Sequence, residues 1–137
     1  MSLKQRNINI IMDILMSIRK KYCEAIFDGR KTIELRKNKP APYSPHRVFV
    51  YESRGCGMVV GEFVCYAVCS WSVGAIWNRF GDKICVSRHE LDAYYGGRDV
   101  GYTWYIRDAV RYDAPVPLSE LGVCRPPQSW CYLRKLE

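Results

Sequence analysis

The densest run of chemistry-bearing side chains is Gly29-Arg30-Lys31-Thr32-Ile33-Glu34-Leu35-Arg36. The residue types predict a helix ending at the glycine and a strand beginning at once. On a strand, Glu34 and Arg36 share one face, with Cβ atoms about 7 Å apart. Lys31 falls at the junction, free to reach over the same edge. The three supply an acceptor, a fixed fork of donors and a mobile ammonium, a set suited to binding a phosphate or base edge or to polarising an amide. The same spacing also fits a surface ion-pair cluster worth under about 1 kcal/mol.

Charge points the same way. Residues 1–54 carry 12 Lys or Arg against 5 Asp or Glu, whereas residues 55–137 carry 9 of each. The entire excess of +7 therefore sits in the first two fifths of the chain. Concentrated positive charge with interleaved aromatics is the footprint of a polyanion binder, and equally of a plainly solvated surface. Lys37, Lys39 and Arg47 flank a loop with prolines at 40, 42 and 45, and are placed to touch phosphates. Tyr43, in that loop, and Trp130, beside Gln128 and Ser129, are candidate stacking surfaces. His46 reads as a loop residue without a catalytic role.

Seven cysteines are many for 137 residues, but none is paired at metal-ligand spacing and the two histidines stand far apart. The expectation is therefore no metal, no cofactor and reduced thiols in a cytoplasmic protein, most of them small core residues. Cys65 and Cys69, four apart on one predicted strand, are expected to share its buried face. No apolar run reaches the roughly 18 residues a bilayer crossing needs, so no membrane partner is expected.

The elements that must position these groups follow from periodicity. Residues 1–13 form a poorly specified lead-in, and 14–137 a single domain. Residues 14–18 predict a buried strand and 20–28 a helix with Tyr22, Ala25 and Ile26 on one face. Residues 32–37 alternate, with Ile33 and Leu35 on one side and Thr32, Glu34 and Arg36 on the other. Strands are expected over 48–52 and 58–71, with Gly61 marking a bulge, and over 102–112, stopped by Pro115 and Pro117. A short helix is expected over 75–80. Ser87 and Glu90 have capping-box spacing ahead of another, which ends at Gly96. Residues 130–133 close the pattern as a strand. Few short helices among five or six strands predict an α+β fold, a small mixed β-barrel with two or three short helices.

The string Gly29-x-Lys31-x-x-Glu34-x-Arg36 after a short helix resembles the signature of the ASCH domain, a small barrel of the PUA-like superfamily. Ser17-Ile18-Arg19 before the Tyr22 helix, Val59-Val60-Gly61-Glu62-Phe63, Tyr95-Gly96, Pro117-Leu118 and Pro127-Gln128-Ser129 resemble further blocks of that family in the same order. The resemblance spans roughly residues 14 to 133. It implies a PUA-like mixed β-barrel with a cleft at Lys31, Glu34 and Arg36, and a role with RNA or in translation or transcription co-regulation. Similar small bacterial members act as enzymes, one branch hydrolysing the acyl amide of acetylcytidine and another member acting as a ribonuclease. The amidohydrolase branch uses a lysine, a threonine and a distant glutamate. Lys31 matches the lysine, Glu34 stands at the threonine position with Thr32 nearby, and Asp82 is the acid near the third position.

The expected function is binding of RNA or of a modified nucleotide or nucleoside. Lys31, Thr32, Glu34 and Arg36 would bind the ligand in the cleft, Lys37, Lys39 and Arg47 would form its rim, and Tyr43, Gln128 and Ser129 would add ligand contacts. The alternatives are a hydrolase on the same cleft, in which Lys31 activates water and Glu34 shuttles a proton, and a protein-interaction or co-regulator module.

Overall fold

Alternation decides the first element. β1 (Ile14–Arg19) turns Ile14, Met16 and Ile18 into the main core, while Leu15 is buried in a separate cluster on the opposite face. In this computed structural model, which describes residues 13–41 and 45–133, β1 leads into α1 (Lys20–Phe27). Cys23, Ala25 and Ile26 are the buried face of α1. Gly29, at φ +88°, reverses the chain there, a conformation that glycine adopts without steric cost. β2 (Ile33–Arg36) follows, then β3 (His46–Ser53), β4 (Val59–Ser72), α2 (Val73–Phe80) and α3 (Arg88–Tyr95). β5 (Val100–Val116), a 3-10 turn (Leu118–Leu121) and β6 (Trp130–Tyr132) complete the order.

Among the described residues, six strands form one sheet in the order β2-β5-β4-β3-β1-β6. β1 and β3 run parallel, joined by the α1–β2 crossover; every other pair is antiparallel. The sheet curls into a half-barrel, an α+β fold with three short helices, and its two outer strands, β2 and β6, are not hydrogen-bonded to each other. Trp104 and Phe63 are the largest side chains of the main core. Ile33 and Leu35 of β2 point away from it, into a second cluster with Ile76 of α2 and Leu91 and Tyr95 of α3. The 3-10 turn covers the third cluster, around Leu15 and Val59.

Four expectations need correction. β5 does not stop before Pro115 but runs to Val116. β2 pairs only with Tyr102–Tyr105, so beyond Ile106 β5 is an outer strand, where proline loses no ladder bond. The Cys65 and Cys69 side chains do not share a face: the register shifts between Cys65 and Ala67, leaving Cys65 buried and Cys69 exposed. All seven cysteines are free thiols, yet only Cys23 and Cys65 are buried; burial pushes the Cys23 thiol up to about 12. His46 is not a loop residue but the first of β3, and it is buried. The expected bulge at Gly61 is present as a register shift between Val59 and Gly61.

Candidate functional site

Lys31, Glu34 and Arg36 are buried, at 2%, 6% and 8% exposure, so the cluster is not a solvated surface network. One polar face of a four-residue strand has been closed over by other elements. The Lys31 ammonium donates to the Ile84 carbonyl at 2.6 Å and pairs with Glu34 Oε1 at 3.2 Å. Arg36 Nε donates to Glu34 Oε2 at 3.0 Å, and its Nη2 contacts the same oxygen. The rest of the guanidinium leaves β2: Nη1 donates to Ser129 Oγ and Nη2 to the Ser17 carbonyl, each at 3.0 Å. Arg36 thereby ties the outer strand β2 to β1 and to the approach to β6 across the open seam of the half-barrel. Burial acts most strongly on Glu34 and would raise its pKa, but Arg36 and then Lys31 outweigh it and hold the carboxyl below its ordinary range. With the Glu34 carboxyl ionised, the three side chains carry a formal charge of +1.

The triad forms the floor of a cleft of about 610 Å³. Ser17, Ile18 and Arg19 of β1 line one side, with Tyr51 and Ser53 from the end of β3. Pro126, Pro127 and Gln128 supply the wall before β6. α3 gives Glu90, Leu91, Ala93 and Tyr94, and α1 gives Tyr22. Two tyrosines of this lining each carry a lysine on the ring. Lys37 Nζ lies 4.9 Å from the Tyr94 centroid. Lys21 lies 4.8 Å from the Tyr22 centroid, and the buried Lys31 is 5.2 Å from the same ring.

Glu90 is a lining residue whose type and spacing signalled only a helix cap. The cap is there: Ser87 Oγ accepts from the Glu90 amide at 3.0 Å, and the Ser87 amide donates to Glu90 Oε1 at 2.8 Å. The other oxygen, Oε2, accepts from Lys21 at 3.0 Å and from the Tyr22 hydroxyl at 3.4 Å, bridging α1 and α3 at the cleft. The Ser87 amide and Lys21 hold this carboxyl down to about 2. Its second use was legible only once the two helices were known to meet.

The remaining candidates separate. Lys37 and Gln128 stand at the cleft, and Ser129 reaches it through Arg36. Thr32 works through its backbone: its amide donates to Lys83 and its carbonyl accepts from Ile106, while its exposed side chain is not part of the lining. Lys39 is exposed and outside the cleft. Arg47 sits at the opposite end of β3 from Ser53, about 20 Å along the strand, paired with Asp13 and stacked 4.9 Å from the Phe49 ring. Tyr43 lies outside the described residues. Trp130 is half-buried against Trp104 and Tyr132 and donates to Asn38. Among the described residues no three His, Cys, Asp or Glu side chains gather as a metal site, and no helix is long and apolar enough to cross a membrane.

Comparison with known proteins adds four findings. A family model described as the ASCH domain matches residues 16–113. A protein of Zymomonas mobilis named as an ASCH domain-containing ribonuclease is 29% identical over 131 residues, 91% of this chain and 86% of that one. The crystal structure of ASCH from Zymomonas mobilis superposes with a TM-score of 0.81 at 28% identity, over 90% of this chain and 88% of that one. A large ribosomal subunit protein uL22 of Ureaplasma parvum is 31% identical over 122 residues, 88% of this chain but 39% of that protein, so the likeness there is to one part of a longer chain.

Proposed function

Because this chain belongs to the ASCH domain family, we propose that its cleft receives one nucleotide of an RNA chain. The observation that carries this reading is the buried Lys31–Glu34–Arg36 floor, with one net positive charge, beneath tyrosines that each hold a lysine. A floor of that sign favours an anion above it, and the low dielectric strengthens the attraction. The cleft, at about 610 Å³, lies within the 300–1,000 Å³ range of small-ligand sites, a volume that suits a single nucleotide. Tyr94 offers a π-face to the base, Lys37 and Arg19 meet the flanking phosphates, and Gln128 supplies a polar edge.

Titrating single-stranded RNA against Tyr94→Leu tests the reading without touching the buried floor. Base stacking is worth about 1–3 kcal/mol, so affinity falls about tenfold. Affinity within twofold of the parent rejects the proposal.

RNA hydrolysis at the same cleft is the second reading, favoured by the Zymomonas mobilis relative's name. In it the floor acts by electrostatic stabilisation of the phosphoryl group, not by moving protons. Glu34 is held ionised with both oxygens engaged, and a general base needs a pKa near the working pH. The proton-shuttle role for Glu34 is therefore the weaker form of the enzyme hypothesis. End-labelled RNA incubated with the protein distinguishes the readings: intact RNA leaves binding, and shortened products favour hydrolysis.

A further inference from the structure

Away from the cleft, the outer face of β4 and β5 meets the end of α2 in a file of aromatic rings. Tyr66 lies 5.9 Å from Tyr105, Tyr105 lies 6.0 Å from Phe80, and Phe80 lies 5.4 Å from Trp71, measured between ring centroids. A guanidinium is stacked at each end: Arg107 at 5.7 Å from the Tyr66 ring and Arg79 at 4.7 Å from the Trp71 ring. The file exists because of the bulge in β4. Cys65 and Val68 both face the main core although they are three residues apart, and the extra residue leaves Tyr66 on the outside. Tyr66 is 45% exposed. Trp71 is fixed by its indole nitrogen, which donates to Thr103 at 3.1 Å and to Tyr105 at 3.3 Å.

We propose that this arginine-bracketed aromatic file is a second contact surface for single-stranded RNA, gripping the strand that runs on from the nucleotide in the cleft. The inference rests on the RNA reading of the cleft and extends it to a surface that reading does not use. Three features select the occupant. Planar guanidiniums stacked on rings present donors to phosphate while keeping a face for a base. Neither arginine is committed elsewhere: Arg107 has only its exposed neighbour Asp108, and among the described residues Arg79 makes no ion pair. The chain also links the file to the floor of the cleft. Phe80 leads through residues 81–83 to Ile84, whose carbonyl holds Lys31.

The experiment compares a dinucleotide with an oligonucleotide of about ten residues, a length within the site sizes of single-strand platforms. The proteins are the parent, the double variant Arg79→Gln/Arg107→Gln, and Tyr66→Leu. All three changed side chains are exposed, and melting curves verify that the variants fold. The expected result is unchanged dinucleotide affinity with weakened binding of the longer strand. Tyr66→Leu weakens it about tenfold, and the double variant makes its log–log salt slope shallower by about 1.4, two phosphates' worth. Unchanged affinity and slope for the longer strand in folded variants overturn the proposal and leave the cleft reading standing. Binding of the longer strand that depends on the file, without any dinucleotide binding, leaves the file standing and removes the cleft reading. No RNA binding at all by the parent overturns both.

Discussion

Glu34 is the residue on which the site turns. Its two oxygens hold two cations that would otherwise be buried without a counter-charge. Breaking a buried ion pair by removing one partner costs about 3–5 kcal/mol, far more than an exposed pair is worth. Glu34→Gln therefore lowers unfolding free energy by about that amount in urea titrations; a loss below 1 kcal/mol would show the triad to be solvated. The pH dependence has a definite sign. The folded carboxyl titrates below its ordinary value of 4.5, so its stabilisation is complete above that value. It is lost as the pH falls through the lower folded value. Melting curves between neutral and acid pH should show a steep acid limb in the parent, flattened in Glu34→Gln. Strand spacing made the shared face of Glu34 and Arg36 legible, but not its burial. Alternation tells which residues share a face and is silent on what another element lays over it.

Among the elements, β1, β2 and α3 were readable because each carries a strong local signal: a short apolar run in β1, alternation in β2, and in the helix a capping box whose two hydrogen bonds are both formed. β4 and β5 were harder, since their irregularities are answers to partners. Pro115 reads as a stop in a paired strand and is tolerated on an outer one. The same outer stretch carries Asp108 at φ +53° and exposed Arg107 and Arg111, features that blunt a free edge against pairing with another chain. Gly61 shows how tightly the bulged ladder is packed. A Cβ there would lie 2.4 Å from the Val110 carbonyl oxygen and 2.5 Å from the Phe27 ring. A backbone oxygen on the neighbouring strand cannot swing away, so Gly61→Ala destabilises by about 1–3 kcal/mol, the range for an overpacked core. Gly74→Ala, with nothing within 4 Å of its added Cβ, is the control and leaves the melting temperature within a few degrees. Equal melting temperatures for the two variants would contradict this packing.

For the whole molecule, the open side of the half-barrel is bridged by side chains. Arg36 reaches Ser17 and Ser129, and the Trp104 and Trp130 indoles both donate to Asn38, which follows β2. Lysine retains the charge but not the fork that spans three segments. Arg36→Lys should thus speed hydrogen exchange at the amides of Ser17 and Leu133, which bond to Ser129 and Asp13, by about tenfold or more. The paired centre of β4 and β5 serves as the internal reference, and uniform acceleration there would mean general destabilisation instead. The placement of β6 beside β1 also has a consequence in time. A chain emerges from the ribosome N-terminal end first. The basic segment, with Lys31, Glu34 and Arg36, is exposed to the polyanionic ribosome long before Pro126 to Ser129 appear. Until they do, Arg36 lacks Ser129 and the cleft lacks a wall. Vectorial synthesis thus keeps a nascent chain that already carries its positive charge from completing its own cleft.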